Sequence, residues 1–162
     1  MIRGDREKMK NPKLRYGTPQ EWVEWYEKKT GDLFTLPDGY TVNYHERRGL
    51  MAFKPDIEAA MLIVEYVIGD GRFWHDVAEL IAKQNGFRYV ATICTRNVYA
   101  YIRYWNYKIV KEWDIDGQKR FLTIDPLGRY AVLTYRGEDN RTHKDTYWVV
   151  QYLVPGAKPN LE

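Results

Sequence analysis

The chain predicts an α/β (α+β) fold built on a mixed sheet, and three stretches carry that expectation. Residues 59–68, AAMLIVEYVI, form a nearly continuous apolar run, as expected of a central strand covered on both faces. Gly69-Asp70-Gly71 breaks the run, and Phe73, Trp74, Val77, Leu80 and Ile81 then mark one helical face up to Asn85-Gly86. From Tyr107 onward the sequence becomes β-rich: YKIVKEW, KRFLTID, a Pro126-Leu127-Gly128 turn, RYAVLTYR and TYWVVQYLV. Helix, hairpin, strand, helix, strand, helix and hairpins, in that order, specify a sheet with helices packed on it.

The remaining elements follow from local signals. Thr18-Pro19-Gln20-Glu21 is a capping box with proline at the first helical position, and Trp22, Trp25 and Tyr26 recur at helical spacing until Gly31, which predicts a helix over about 19–29. Leu36-Pro37-Asp38-Gly39 reads as a turn, and the alternating YTVNYHE after it reads as a strand. Arg48-Gly49 closes a hairpin onto LMAFK, which Pro55 is expected to end. YVATICT, short and β-branched, predicts a second central strand, and Asn97 caps a helix through about Trp105.

Bulk properties fit one domain over 16–162, preceded by a basic tail over 1–15 in which Arg3, Arg6, Lys8, Lys10, Lys13 and Arg15 face only Asp5 and Glu7. That tail is a solvated segment or the binding site of an acidic, nucleic-acid or protein partner. Apolar residues are 44% and charged residues 29% of the 162, which excludes the disordered and membrane classes; no run is long enough to cross a bilayer, and the start lacks the apolar core of a secretory signal. A cytoplasmic protein with no membrane association is expected. Cys94 sits within a buried-strand sequence as a small core residue, and His45, His75 and His143 are too far apart in sequence to predict a metal site. Fourteen Tyr and six Trp serve equally to fill a core, to line a cleft or to stack bases.

A strand feeding Gly-x-Gly and then a helix offers backbone N–H groups and the positive end of a helix dipole to an anion. Trp74 at the third position excludes the dinucleotide fingerprint, and no Gly-Lys-Ser/Thr is present for a P-loop. Tyr66-Val67-Ile68-Gly69-Asp70-Gly71, the close of the helix in Ala82-Lys83-Gln84-Asn85-Gly86-Phe87, and Asn97-x-x-Ala100-x-x-x-Tyr104 together resemble the GNAT N-acetyltransferase superfamily. The likeness covers about 60–110 as motif and 40–136 as an order of elements.

That resemblance implies a mostly antiparallel central sheet with a splayed parallel pair and helices on both faces. It also implies an acyltransferase moving an acetyl or related acyl group from acetyl-CoA, or another acyl-CoA, to an amine of an unidentified acceptor by direct attack. Gly69, Asp70, Gly71 and Arg72 would then hold the pyrophosphate, Val67 and Ile68 would pair with the pantetheine arm, and Asn97 would cap the fourth helix or contact the cofactor. Glu65, an ionisable residue within an apolar strand, is the candidate base, and Tyr104 the candidate acid. Trp22, Tyr26, Tyr44 and His45 would line an aromatic acceptor wall suited to a planar or anionic group. Tyr66 stands where the family has Gln or Arg, and Asp70 puts a carboxylate inside the phosphate turn. These two residues favour the alternative: a non-catalytic binding or inhibitory protein of the same fold, of phage or mobile-element type, acting on nucleic acid or a protein.

Overall fold

The computed structural model describes residues 16–95, 97–138 and 145–159; the basic tail and His143 lie outside them. Among the described residues are three helices, α1 (Pro19–Thr30), α2 (Gly71–Gln84) and α3 (Val98–Tyr104). The eight strands are β1 (Thr41–His45), β2 (Gly49–Asp56), β3 (Met61–Gly69), β4 (Tyr89–Cys94), β5 (Lys108–Ile115), β6 (Gln118–Ile124), β7 (Ala131–Glu138) and β8 (Asp145–Tyr152). The fold is α+β: the strands are hydrogen-bonded in the order β1-β2-β3-β4-β8-β7-β6-β5, a mixed sheet with one parallel pair. Residues 57–60 alone join β2 to β3, too few for a parallel return, whereas α2 links β3 to β4, the connection that a parallel pair requires.

Two element boundaries differ from the sequence reading for physical reasons. Pro55 does not stop β2, which continues to Asp56; β1 pairs only as far as Phe53, so the missing proline N–H interrupts no bond on that side. Ala59 and Ala60 belong to the turn before β3, with Ala60 at φ 53°.

The chain forms two compact units, one holding the chain up to Lys54 together with Val64–Ala78, the other holding Pro55–Ile63 and the chain from Glu79 on. β3 and α2 each contribute residues to both.

In the first unit the Thr18 hydroxyl accepts from the Glu21 N–H and the Glu21 carboxylate accepts from the Thr18 N–H, and Gly31 ends α1 in the left-handed conformation. Trp22 projects from α1 into a fully buried cluster with Leu50 and Ile68, ringed by Val23, Trp25, Tyr26 and Phe34. Its indole N–H donates to the Glu46 carbonyl at 3.0 Å, so burial leaves no donor unsatisfied. Tyr66, buried in β3, accepts from the Thr35 N–H at 3.0 Å, and its hydroxyl lies 3.2 Å from the Leu33 carbonyl. Tyr66 therefore anchors the segment after α1.

In the second unit the pairings β5/β6, β6/β7, β7/β8 and β8/β4 are all antiparallel, and Asp116-Gly117, both at positive φ, close the β5–β6 hairpin. The registers place Phe121, Thr134, Val149 and Thr92 in one cross-strand row. α3 packs on that face through Val98 and Ile102 against Phe121, while Tyr101, Tyr107 and Tyr147 surround Cys94, Val132 and Val149. Along α2 the buried stripe is Trp74, Ala78 and Ala82. Leu80, expected on the core side, is exposed, because two residues of helix turn it about 200° from Ala82.

Candidate functional site

The Gly69-Asp70-Gly71 turn lies in the first unit, where the backbone at the end of β3 closely approaches the backbone at the start of its neighbour β2. Gly69 has φ 106°, and a Cβ there would sit 2.3 Å from the Arg48 carbonyl oxygen. Gly49 faces it with φ 92°, and a Cβ on it would sit 1.9 Å from the Ile68 carbonyl oxygen. Two glycines are thus required by a close backbone approach that no side chain fits. The Arg48 carbonyl accepts from the Asp70 N–H at 2.9 Å and from the Trp74 indole N–H at 2.8 Å, which fixes the start of α2 over the β1–β2 turn.

Asp70 caps α2. Its Oδ1 accepts from the Phe73 N–H at 3.2 Å, and its carbonyl accepts the first helical bond, from Trp74 N. Its other carboxylate oxygen, Oδ2, accepts from Arg48 Nη1 in an ion pair whose side chains are 42% exposed for Arg48 and 12% for Asp70. The Arg48 guanidinium also lies over the Phe73 ring at 5.3 Å, and His45 meets the same ring at 5.8 Å. The positive end of α2 is therefore already matched by an internal carboxylate with its own counter-ion. An external phosphate reaching these amides would meet a like charge in Asp70 and a solvent-accessible cation in Arg48.

The residues singled out from sequence fall into distinct settings. Val67 is half-buried and Ile68 fully buried in β3, just ahead of the turn, and Arg72 is exposed on the first turn of α2. Glu65 is 3% exposed in the middle of β3, a carboxylate enclosed by the fold. Tyr104, at the end of α3, is 54% exposed and meets Trp105 edge-on at 5.1 Å. Asn97 caps α3, its Oδ1 accepting from Tyr99 N at 2.9 Å and Ala100 N at 3.2 Å. Of the acceptor wall, Trp22 is enclosed in the core, Tyr26 stands edge-on to Tyr66 at 5.7 Å, and Tyr44 is exposed and donates to the Gly17 carbonyl. Of that group, His45 reaches the start of α2 through Phe73, and Trp22 packs against Ile68 just ahead of the turn.

Two features escaped the sequence reading. Arg48 was marked by its place before a glycine and as a basic residue of the acceptor side, but its pairing with Asp70, 22 residues away, was not. Tyr101 is the desolvated phenol of α3: burial, with Cys94 nearby, pushes its pKa far above the ordinary tyrosine range, against the lowering effect of Thr92 and Trp105. Burial raises Tyr107 well above that range too, with Tyr101, Glu79 and Asp125 adding to the effect. Both phenols stay protonated under ordinary conditions. Compared with protein-family models, curated proteins and solved structures, the chain matches none. Among the described residues no group of His, Cys, Asp and Glu has the geometry of a metal site, and no helix is long and apolar enough to cross a membrane.

Proposed function

We propose that the chain is a divergent GNAT-like acyltransferase that takes an acetyl or related acyl group from acyl-CoA and passes it to an amine. The observation that supports this reading is the sequence of elements around the turn: β3 runs through Gly69-Asp70-Gly71 into α2, and the chain returns as β4, the neighbour of β3 in the sheet. In this reading Arg48 leaves Asp70 for the pyrophosphate, and the N–H groups that open α2 complete the anion site. Glu65 takes the proton from the ammonium; the amine nitrogen bonds to the thioester carbonyl carbon, the carbon–sulfur bond breaks, and the thiolate departs with the proton that a general acid supplies, the role the resemblance gives to Tyr104. His45 and the exposed Tyr44 are the acceptor-side residues of the first unit that remain available.

Asp70 itself favours a second reading, a non-catalytic binding protein of the same fold. A carboxylate that caps α2 and pairs with Arg48 occupies the place where the enzyme needs a phosphate. Calorimetric titration with acetyl-CoA separates the two. The acyltransferase reading expects saturable binding that Asp70→Asn tightens about tenfold or more, since asparagine keeps the cap and removes the like charge. Absence of binding to both the wild type and Asp70→Asn leaves the second reading.

A further inference from the structure

We infer that the second unit binds single-stranded nucleic acid on the face of β4–β8–β7–β6–β5 opposite α3. The strand registers fix which side chains share that face. Trp113 on β5 pairs with Arg120 on β6; the Arg120 guanidinium lies over the Tyr135 ring of β7 at 5.6 Å; Tyr135 pairs with Trp148 on β8. The result is a cross-strand row of three aromatic rings with one cation among them, spanning three strand spacings, about 14 Å. Tyr89 and Tyr152 extend the same face, their rings edge-on at 4.9 Å. These aromatic residues are half-buried, and Gly137 is bare beneath the Trp148 indole, where a Cβ would come within 2.6 Å of the ring.

Charge divides between the two faces. Lys111 lies over the Trp113 ring at 5.4 Å, and Lys108 and Arg120 share its side of the sheet. The carboxylates of β5, Glu112 and Asp114, point to the other side, where Lys119 meets them at 3.4 and 3.8 Å and the Tyr99 hydroxyl donates to Glu112 at 2.7 Å. The bulge between Ile109 and Lys111 produces this segregation, since it returns Lys108 to the face of Lys111. β5 is the last strand of the sheet among the described residues, so the cationic end of the row lies at the sheet edge. Rings spaced across adjacent strands, with cations beside them and no carboxylate on the same face of β5 or β6, match a polyanion whose bases stack on aromatic residues while its phosphates meet Lys and Arg. This inference does not rest on acyl transfer.

The test is fluorescence anisotropy of the full chain with fluorescein-labelled thymidine and uridine oligomers of about 12 nucleotides. Binding of either is expected, with affinity falling as salt rises. Trp113→Ala and Tyr135→Ala should each weaken it roughly fivefold or more, Trp113→Phe should keep most of it, and Lys111→Ala should flatten the logarithmic salt slope by about one. Trp113 is on the edge strand, so its variants remain informative if Tyr135→Ala fails to fold. No binding of either oligomer at about 50 mM salt, or binding that Trp113→Ala and Lys111→Ala leave unchanged, overturns the inference; so does binding abolished only by Glu substitutions at Lys8 and Lys10.

Discussion

A methyl group at Gly69 has nowhere to go: the backbone is at φ 106° and the Arg48 carbonyl oxygen is 2.3 Å from where the Cβ would stand. Gly69→Ala is therefore expected to cost about 3 kcal/mol or more, or to prevent folding. Gly86 has φ 73° with nothing within 4 Å, so Gly86→Ala should cost only the conformational strain, about 1–2 kcal/mol. Urea unfolding of the two variants checks this, and equal costs would contradict the close approach. Tyr101 gives the other residue-scale expectation. Its folded-state pKa is raised, so the folded chain keeps a proton that the unfolded chain releases above about pH 10, and stability falls as pH rises past that point. Melting temperatures between about pH 8 and 11 should decline, and Tyr101→Phe, although less stable at neutral pH, should decline less steeply. At this scale the glycine turn was legible from sequence. The role of Asp70 was not, because its partner Arg48 is distant along the chain and the contact exists only once β1, β2 and β3 are assembled.

Elements were the most legible level, since capping boxes, glycine stops and periodicity are local signals. α1 shows it: Thr18, Glu21 and Gly31 define both ends, and the structure places the helix at Pro19–Thr30. Thr18→Ala should lower stability by about 1 kcal/mol, and Asp70→Ala by more, because it removes a cap together with the Arg48 pair. Asp70→Asn should recover the cap part alone, and thermal melts of the three variants measure the difference. Where elements were misjudged, tertiary context decided. Pro55 stays in β2 because β1 is short, and Leu80 faces solvent because the small side chains of Ala78 and Ala82 carry the buried stripe of α2. Strand order was not written locally: β4 pairs with β8, the last strand, through contacts that no window of sequence contains.

For the molecule as a whole, the order of elements is what the acyl-CoA proposal is built on, while the chemistry at the start of α2 shows a helix dipole already matched by its own carboxylate. The buried Glu65 was recognisable from its apolar neighbours in sequence, and the structure encloses it. Tyr104 was chosen through the resemblance of Asn97-x-x-Ala100-x-x-x-Tyr104 to a family motif, a signal that does not report exposure, and it lies largely open to solvent. The measurement that tests the account most directly is calorimetric titration of the wild type, Asp70→Asn and Gly71→Trp with acetyl-CoA. Binding to the wild type, tightened in Asp70→Asn and lost in a folded Gly71→Trp, is the result expected of an acyl-CoA site at the Gly-Asp-Gly turn. Heat that is absent from the wild type and from Asp70→Asn alike would contradict it.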